Sequence, residues 1–145
     1  MRTTQPSSGG ASSLSDLGVT TTASELNALH GVKRYVALLS QSGTDAPVGT
    51  VLENSLGGTV VWTRGSQGDY LGTLAGGFPA GKTVVQINPT FDIENGQVLY
   101  AYRNGDGAIE VTTWYIAADS TGSSGDGILG VVIGGEAYII ITVYP

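Results

Sequence analysis

The sequence predicts a mainly β protein. It reads as an antiparallel β-sandwich or small barrel-like domain over residues 34–145, preceded by an extended N-terminal arm and one short helix within residues 1–33. Three observations predict this. From Arg34 onward, short runs rich in Val, Ile, Thr and aromatics follow one another, each bounded by Gly, Asn, Asp or Pro, the spacing of strands and tight turns. The 23 glycines lie between these runs and form no repeat, which excludes a collagen-like chain. Only one segment, Thr20 to Val32, carries helix punctuation at both ends.

The arm comes first. Residues 1–13 are polar and include Pro6 and the Gly9-Gly10 pair; Leu14, Leu17 and Val19 then supply spaced apolar anchors. A segment of this kind is suited to lying extended along a surface and docking at a few points. In TTTASELNALHGV, Thr22 is placed to cap a helix and Glu25 to reach back to the cap's own N–H, the capping-box spacing. Leu26 and Leu29 share a face, and Gly31 stands where a left-handed C-terminal residue is wanted. A helix of about two turns is far below the ~12–15 residues needed for stability alone in water. Its leucine stripe must therefore pack on something. Leu14, Leu17, Val19, Thr22, Glu25, Leu26 and Leu29 are accordingly the expected attachment and assembly residues.

After Arg34 the period changes to two. Tyr35–Gln41 reads as a strand, residues 42–47 as a turn, and Val48–Glu53 as a weaker strand. Thr59–Arg64 and Asp69–Leu74 flank the turn at Gly65–Gly68. The Gly76–Gly81 loop leads into Thr83–Asn88, which Pro89 ends by removing a ladder donor. Thr90–Glu94 suits a short edge piece. Gln97–Arg103 and Ala108–Ala117 form the clearest hairpin, because Asn104-Gly-Asp-Gly107 supplies the residues that hairpin turns favour. Ser120–Gly127 is expected to be a mobile loop tip. Ile128–Ile133 and Glu136–Tyr144 are expected to form the last pair, across Gly134-Gly135. Tyr138–Tyr144, apolar on both faces except at Thr142, is expected to be a central strand buried on both sides.

The absence of cysteine excludes disulfides, thiolate catalysis and cysteine-ligated zinc. His30 is the one histidine; beside the helix C-terminus it suits a capping or surface role, and no serine has a nucleophile-elbow context. Asn104–Glu110 resembles a calcium loop only superficially, since the first and last ligand positions fall on Tyr102 and Thr113. Gly76 lies one residue short of the phosphate-loop spacing to Gly81-Lys82-Thr83. Asp119 and Asp126 read as solvated carboxylates. Glu53, Asp92, Glu94 and Glu110 have no local context that marks an acid–base pair. No cofactor or metal is implied, and the chain reads as a non-enzyme.

A net charge of −6 with only six basic residues argues against nucleic acid as a partner. No stretch approaches the ~18–20 apolar residues of a membrane span, and the N-terminus lacks the apolar core of a secretory signal, so synthesis in a cytoplasm is expected. The aromatics, among them Trp62, Tyr70, Tyr100, Tyr102 and Trp114, suit core packing or a sugar-stacking platform. Trp62 and Trp114 are the nominated stacking residues.

The segment around the helix resembles a T-A-x-E-L-N-x-L-x-G-V element that recurs in tail fibres, head fibres and other structural proteins of tailed bacteriophages. The matching residues are Thr22, Ala23, Glu25, Leu26, Asn27, Leu29, Gly31 and Val32, with His30 where Asp is usual. The resemblance implies a structural virion protein made in the host cytoplasm. The expected role is capsid decoration or a head fibre, attached through the N-terminal arm to the major capsid protein or other virion proteins. Three-fold association, a homotrimer, is implied by the likeness to fibres. The alternative is a tail-fibre or tip domain that binds host-surface glycans.

Overall fold

The computed structural model describes residues 22, 24–25, 31–88, 91–92, 97–116, 122–124 and 137–145. The chain divides into two compact units, Met1–His30 and Gly31–Pro145.

In the first unit the capping box is formed. The Thr22 backbone N–H donates to Glu25 Oε2 at 2.8 Å and its hydroxyl donates to the same oxygen at 2.7 Å. The Glu25 N–H donates back to Thr22 Oγ1 at 3.2 Å, and Ser24 and Glu25 are helical. These bonds hold the Glu25 carboxyl below its ordinary pKa, the Thr22 hydroxyl contributing most. The anchors Leu14, Leu17, Val19, Leu26 and Leu29, and His30, lie outside the described residues.

The second unit carries β1 (Lys33–Ser40), β2 (Val48–Asn54), β3 (Val61–Ser66), β4 (Asp69–Thr73) and β5 (Thr83–Ile87). They are followed by β6 (Phe91–Asp92), β7 (Gln97–Arg103), β8 (Ala108–Ile116), β9 (Gly122–Ser124) and β10 (Ala137–Val143). One sheet has four strands in the order β2-β1-β10-β5. The other has six: β3-β4-β8-β7-β6, with β9 also paired to β8. Every pairing among the described residues is antiparallel.

Alternation along the strands sets what each face touches. Tyr35, Ala37 and Leu39 of β1 and Ala137, Ile139, Ile141 and Val143 of β10 point inward. They join one core with Trp62, Tyr70, Leu99, Ile109 and Val111 of the second sheet, and with Phe78 from the loop before β5. The two sheets therefore form a sandwich over a single core.

Two polar contacts tune that core. The Trp62 Nε1–H donates to the Tyr35 hydroxyl at 3.1 Å; burial pushes the Tyr35 phenol up, and the indole N–H works against the shift. The Tyr70 hydroxyl donates to Gln41 Oε1 at 3.3 Å, and the Gln41 amide closes the 42–47 turn by donating to the carbonyls of Gly43 and Asp45.

Three expectations need correction. β10 is central, between β1 and β5, but it is buried on one face only. Tyr138 is 45% exposed and Ile140 and Thr142 are half-buried, because no layer covers the outer side of this sheet among the described residues. The stretch Ser120–Gly127 is not all loop, since Gly122–Ser124 pairs with Trp114–Ile116. Trp62, expected as a surface stacking residue, lies in the core. Ile128–Ile133 and the Gly134-Gly135 turn lie outside the described residues.

Candidate functional site

The outer face of the six-stranded sheet carries three of the exposed aromatic side chains of the described residues, Tyr100, Tyr102 and Trp114, whereas Tyr138 and Tyr144 are exposed elsewhere. On β7 the inward positions are Leu99 and Ala101, so Val98, Tyr100 and Tyr102 point outward. On β8, Ile109, Val111 and Thr113 face the core, so by alternation Glu110, Thr112 and Trp114 lie on the outer side, where Thr112 is itself covered and only 4% exposed. Register then fixes the neighbours: Trp114 is opposite Val98, Thr112 opposite Tyr100, and Glu110 opposite Tyr102. Leu71 and Asp69 of β4 continue the rows beyond Glu110 and Thr112.

Three aromatic rings are thus accessible on one surface. Tyr100 and Tyr102 are each 43% exposed and Trp114 is 39% exposed. The tyrosine rings stack on one another, with centroids 6.1 Å apart and planes 18° apart. Trp114 lies diagonally across from Tyr100, within reach for large side chains.

A polar network borders the rings. Glu110 accepts hydrogen bonds from the Tyr102 hydroxyl and, at 2.5 Å, from the Asn104 amide. The Tyr102 phenol is pushed up to about 12, chiefly because its proton is held by the Glu110 carboxylate. Asp69, whose negative charge also opposes ionisation of the Tyr102 phenol, accepts from the Ser66 hydroxyl at 2.6 Å.

Of the two nominated tryptophans, only Trp114 is exposed. Trp62 is 8% exposed and belongs to the core. Its ring covers Gly72, where an added Cβ would come within 2.8 Å of the indole, and it also approaches Gly49. The reason is alternation: on β3 the even position faces the opposite sheet and Val61 and Thr63 face solvent. Trp114 stands on the surface as nominated. In the sequence Tyr100 and Tyr102 read only as aromatics in a strand; their i, i+2 spacing puts them on one face, and only the pairing of β7 shows that this face is the outer one.

The carboxylates divide between sheets. Glu53 pairs with Arg34 at 3.3 Å in the four-stranded sheet, whereas Glu110 is in the six-stranded sheet. Glu53 and Glu110 cannot flank one bond. Glu94, Asp119 and Asp126 lie outside the described residues. Asp106 is engaged by Arg103 inside the β7–β8 turn, and no group of metal-ligating side chains occurs among the described residues. A recess of about 360 Å³ lies where the chain enters and leaves the sandwich, lined by Lys33, Leu56, Pro79, Lys82, Val143 and Pro145 among others. It has two lysines and no Asp or Glu side chain, so it offers no acid–base pair. No helix among the described residues is long and apolar enough to cross a membrane.

Comparison of the chain with protein-family models, curated proteins and solved structures finds no match to any of them.

Proposed function

We propose that the protein is a non-enzymatic structural component of a tailed-bacteriophage particle, a capsid-decoration or head-fibre protein, which holds the particle through its N-terminal segment and presents a glycan-binding face outward. The observation that carries the binding half is the exposed set Tyr100, Tyr102 and Trp114 on one sheet face beside Glu110 and Asn104. Burying large aromatics is favourable by ~1.5–3 kcal/mol each. Three left on one open surface are therefore a feature that a bound partner would cover. The particle half rests on the phage-like element around Thr22 and Glu25, where the capping box gives the helix a fixed start.

A tail-fibre or tip domain is the second reading, favoured by the same aromatic face. Cryo-electron microscopy of particles decides between them: density on the capsid supports decoration, and density at the tail supports the fibre reading. Loss of host adsorption by particles carrying Tyr102→Ala and Trp114→Ala, with incorporation intact, is the expected result. Unchanged adsorption would remove the glycan role. Association as a homotrimer is part of the proposal, and light scattering of the purified protein tests it.

A further inference from the structure

The charge on the aromatic face narrows what it can bind. Across β3, β4, β8 and β7 the outward positions in register are the aromatics Tyr100, Tyr102 and Trp114, the acidic Asp69 and Glu110, and otherwise aliphatic or threonine side chains. Two are carboxylates and none is basic. Arg103, the nearest cation in sequence, is occupied: its Nε–H donates to the Phe78 carbonyl at 2.6 Å and its guanidinium pairs with Asp106. The whole chain carries −6.

We propose, building on the glycan-binding reading above, that this face selects neutral glycan chains and rejects acidic ones. The attraction comes from the rings. A pyranose presents slightly positive C–H groups on its flat side, and these suit the negative face of an aromatic ring. Glu110 accepts hydroxyl protons, and the Asn104 amide and Tyr102 hydroxyl fix where that acceptor points. The repulsion comes from Glu110 and Asp69. A uronate or sialate carboxylate brought against them finds no cation among the described outward positions of this face, and like charges a few ångströms apart repel, more strongly near a protein surface than in bulk water. The rings follow β7 and reach across to β8, so the site is a strip and not a closed pocket. That shape suits several consecutive sugar units of a chain.

The test uses the full-length protein and immobilised polysaccharides: an uncharged glucan, an uncharged galactomannan and a polyuronate, each at low and at about 0.5 M salt. The expected result is retention on at least one neutral polymer, insensitive to salt, with retention on the polyuronate at least tenfold weaker at low salt. The gap should shrink at high salt, where screening acts within a few ångströms, and should shrink again in the Glu110→Gln/Asp69→Asn variant. Tyr102→Ala/Trp114→Ala, folded by far-ultraviolet dichroism, should lose neutral binding at least tenfold. Equal retention of polyuronate and neutral polymer by the wild type would overturn the charge selection and leave the glycan face standing. No retention of any polymer would overturn the glycan face itself. Retention unchanged in the aromatic double variant would move the site elsewhere.

Discussion

Trp62 and Trp114 carry the same side chain and opposite consequences. Trp62 fills the space over Gly72 and donates to Tyr35, so Trp62→Ala should cost about 3–5 kcal/mol, as large aromatic truncations do. Trp114 is 39% exposed, and Trp114→Ala should change stability by less than about 1 kcal/mol, as surface substitutions do. Urea denaturation of the two variants checks both; equal losses would mean the two rings share one environment. Tyr102 gives a second residue-scale prediction. Its folded pKa, about 12, lies above the ordinary phenol value. The hydrogen bond to Glu110 therefore contributes fully below the unfolded pKa, near 10, and is lost as pH rises through about 12. Ultraviolet titration should show one tyrosine ionising late, and Glu110→Gln should bring it earlier. If the late phase persists in that variant, Glu110 is not its cause.

At the scale of elements, most of the fold was legible. Alternating apolar residues between turn residues located Val48–Asn54, Thr83–Ile87 and Gln97–Arg103 within a residue or so, because the strand period of two is written directly into the side chains. The β7–β8 hairpin was legible from Asn104-Gly-Asp-Gly. Gly105 adopts φ +80°, and the Asn104 N–H donates to the Ala108 carbonyl at 2.8 Å. An added Cβ at Gly105 meets nothing within 4 Å, so Gly105→Ala should cost only the left-handed backbone penalty, about 1–2 kcal/mol. Thermal denaturation reads this; a larger loss would mean the turn supports more than itself. What escaped was β9. Gly122-Ser-Ser has no strand propensity, and it pairs because β8 runs past the end of β4 and leaves Trp114–Ile116 an open edge. The exposure of Tyr138 escaped for a related reason: an apolar strand reads as buried on both faces whether or not a second layer covers it. The site was half legible. Trp114 was named, but face assignment depends on which residues oppose one another, and register is a property of the pairing.

The order of strands in the four-stranded sheet is a property of the whole molecule that local signals do not carry. β1 pairs with β2 through a short turn and with β10 across nearly the full length of the domain, Lys33 lying opposite Val143 and Leu39 opposite Ala137. Loop-closure entropy must be met before such a contact forms, and topologies of this kind fold in milliseconds to seconds. Stopped-flow refolding from urea should fall in that range. Microsecond folding would show that the local hairpins, and not the closing pair, set the rate.

That strand order also bears on how the protein emerges from the ribosome. Until Ala137–Val143 has left the exit tunnel, β1 has β2 on one side and an open row of backbone donors and acceptors on the other, and β5, whose described neighbour is β10, waits at the far side of the gap. The gap is one strand wide and apolar on its inner wall. Chains growing side by side on one messenger each hold such a gap, and each finished chain ahead of them carries a strand of the matching sequence. An unfinished sheet edge of this kind is the setting for strand exchange between copies. The domain therefore depends on Ala137–Val143 being delivered by its own chain sooner than by a neighbour's.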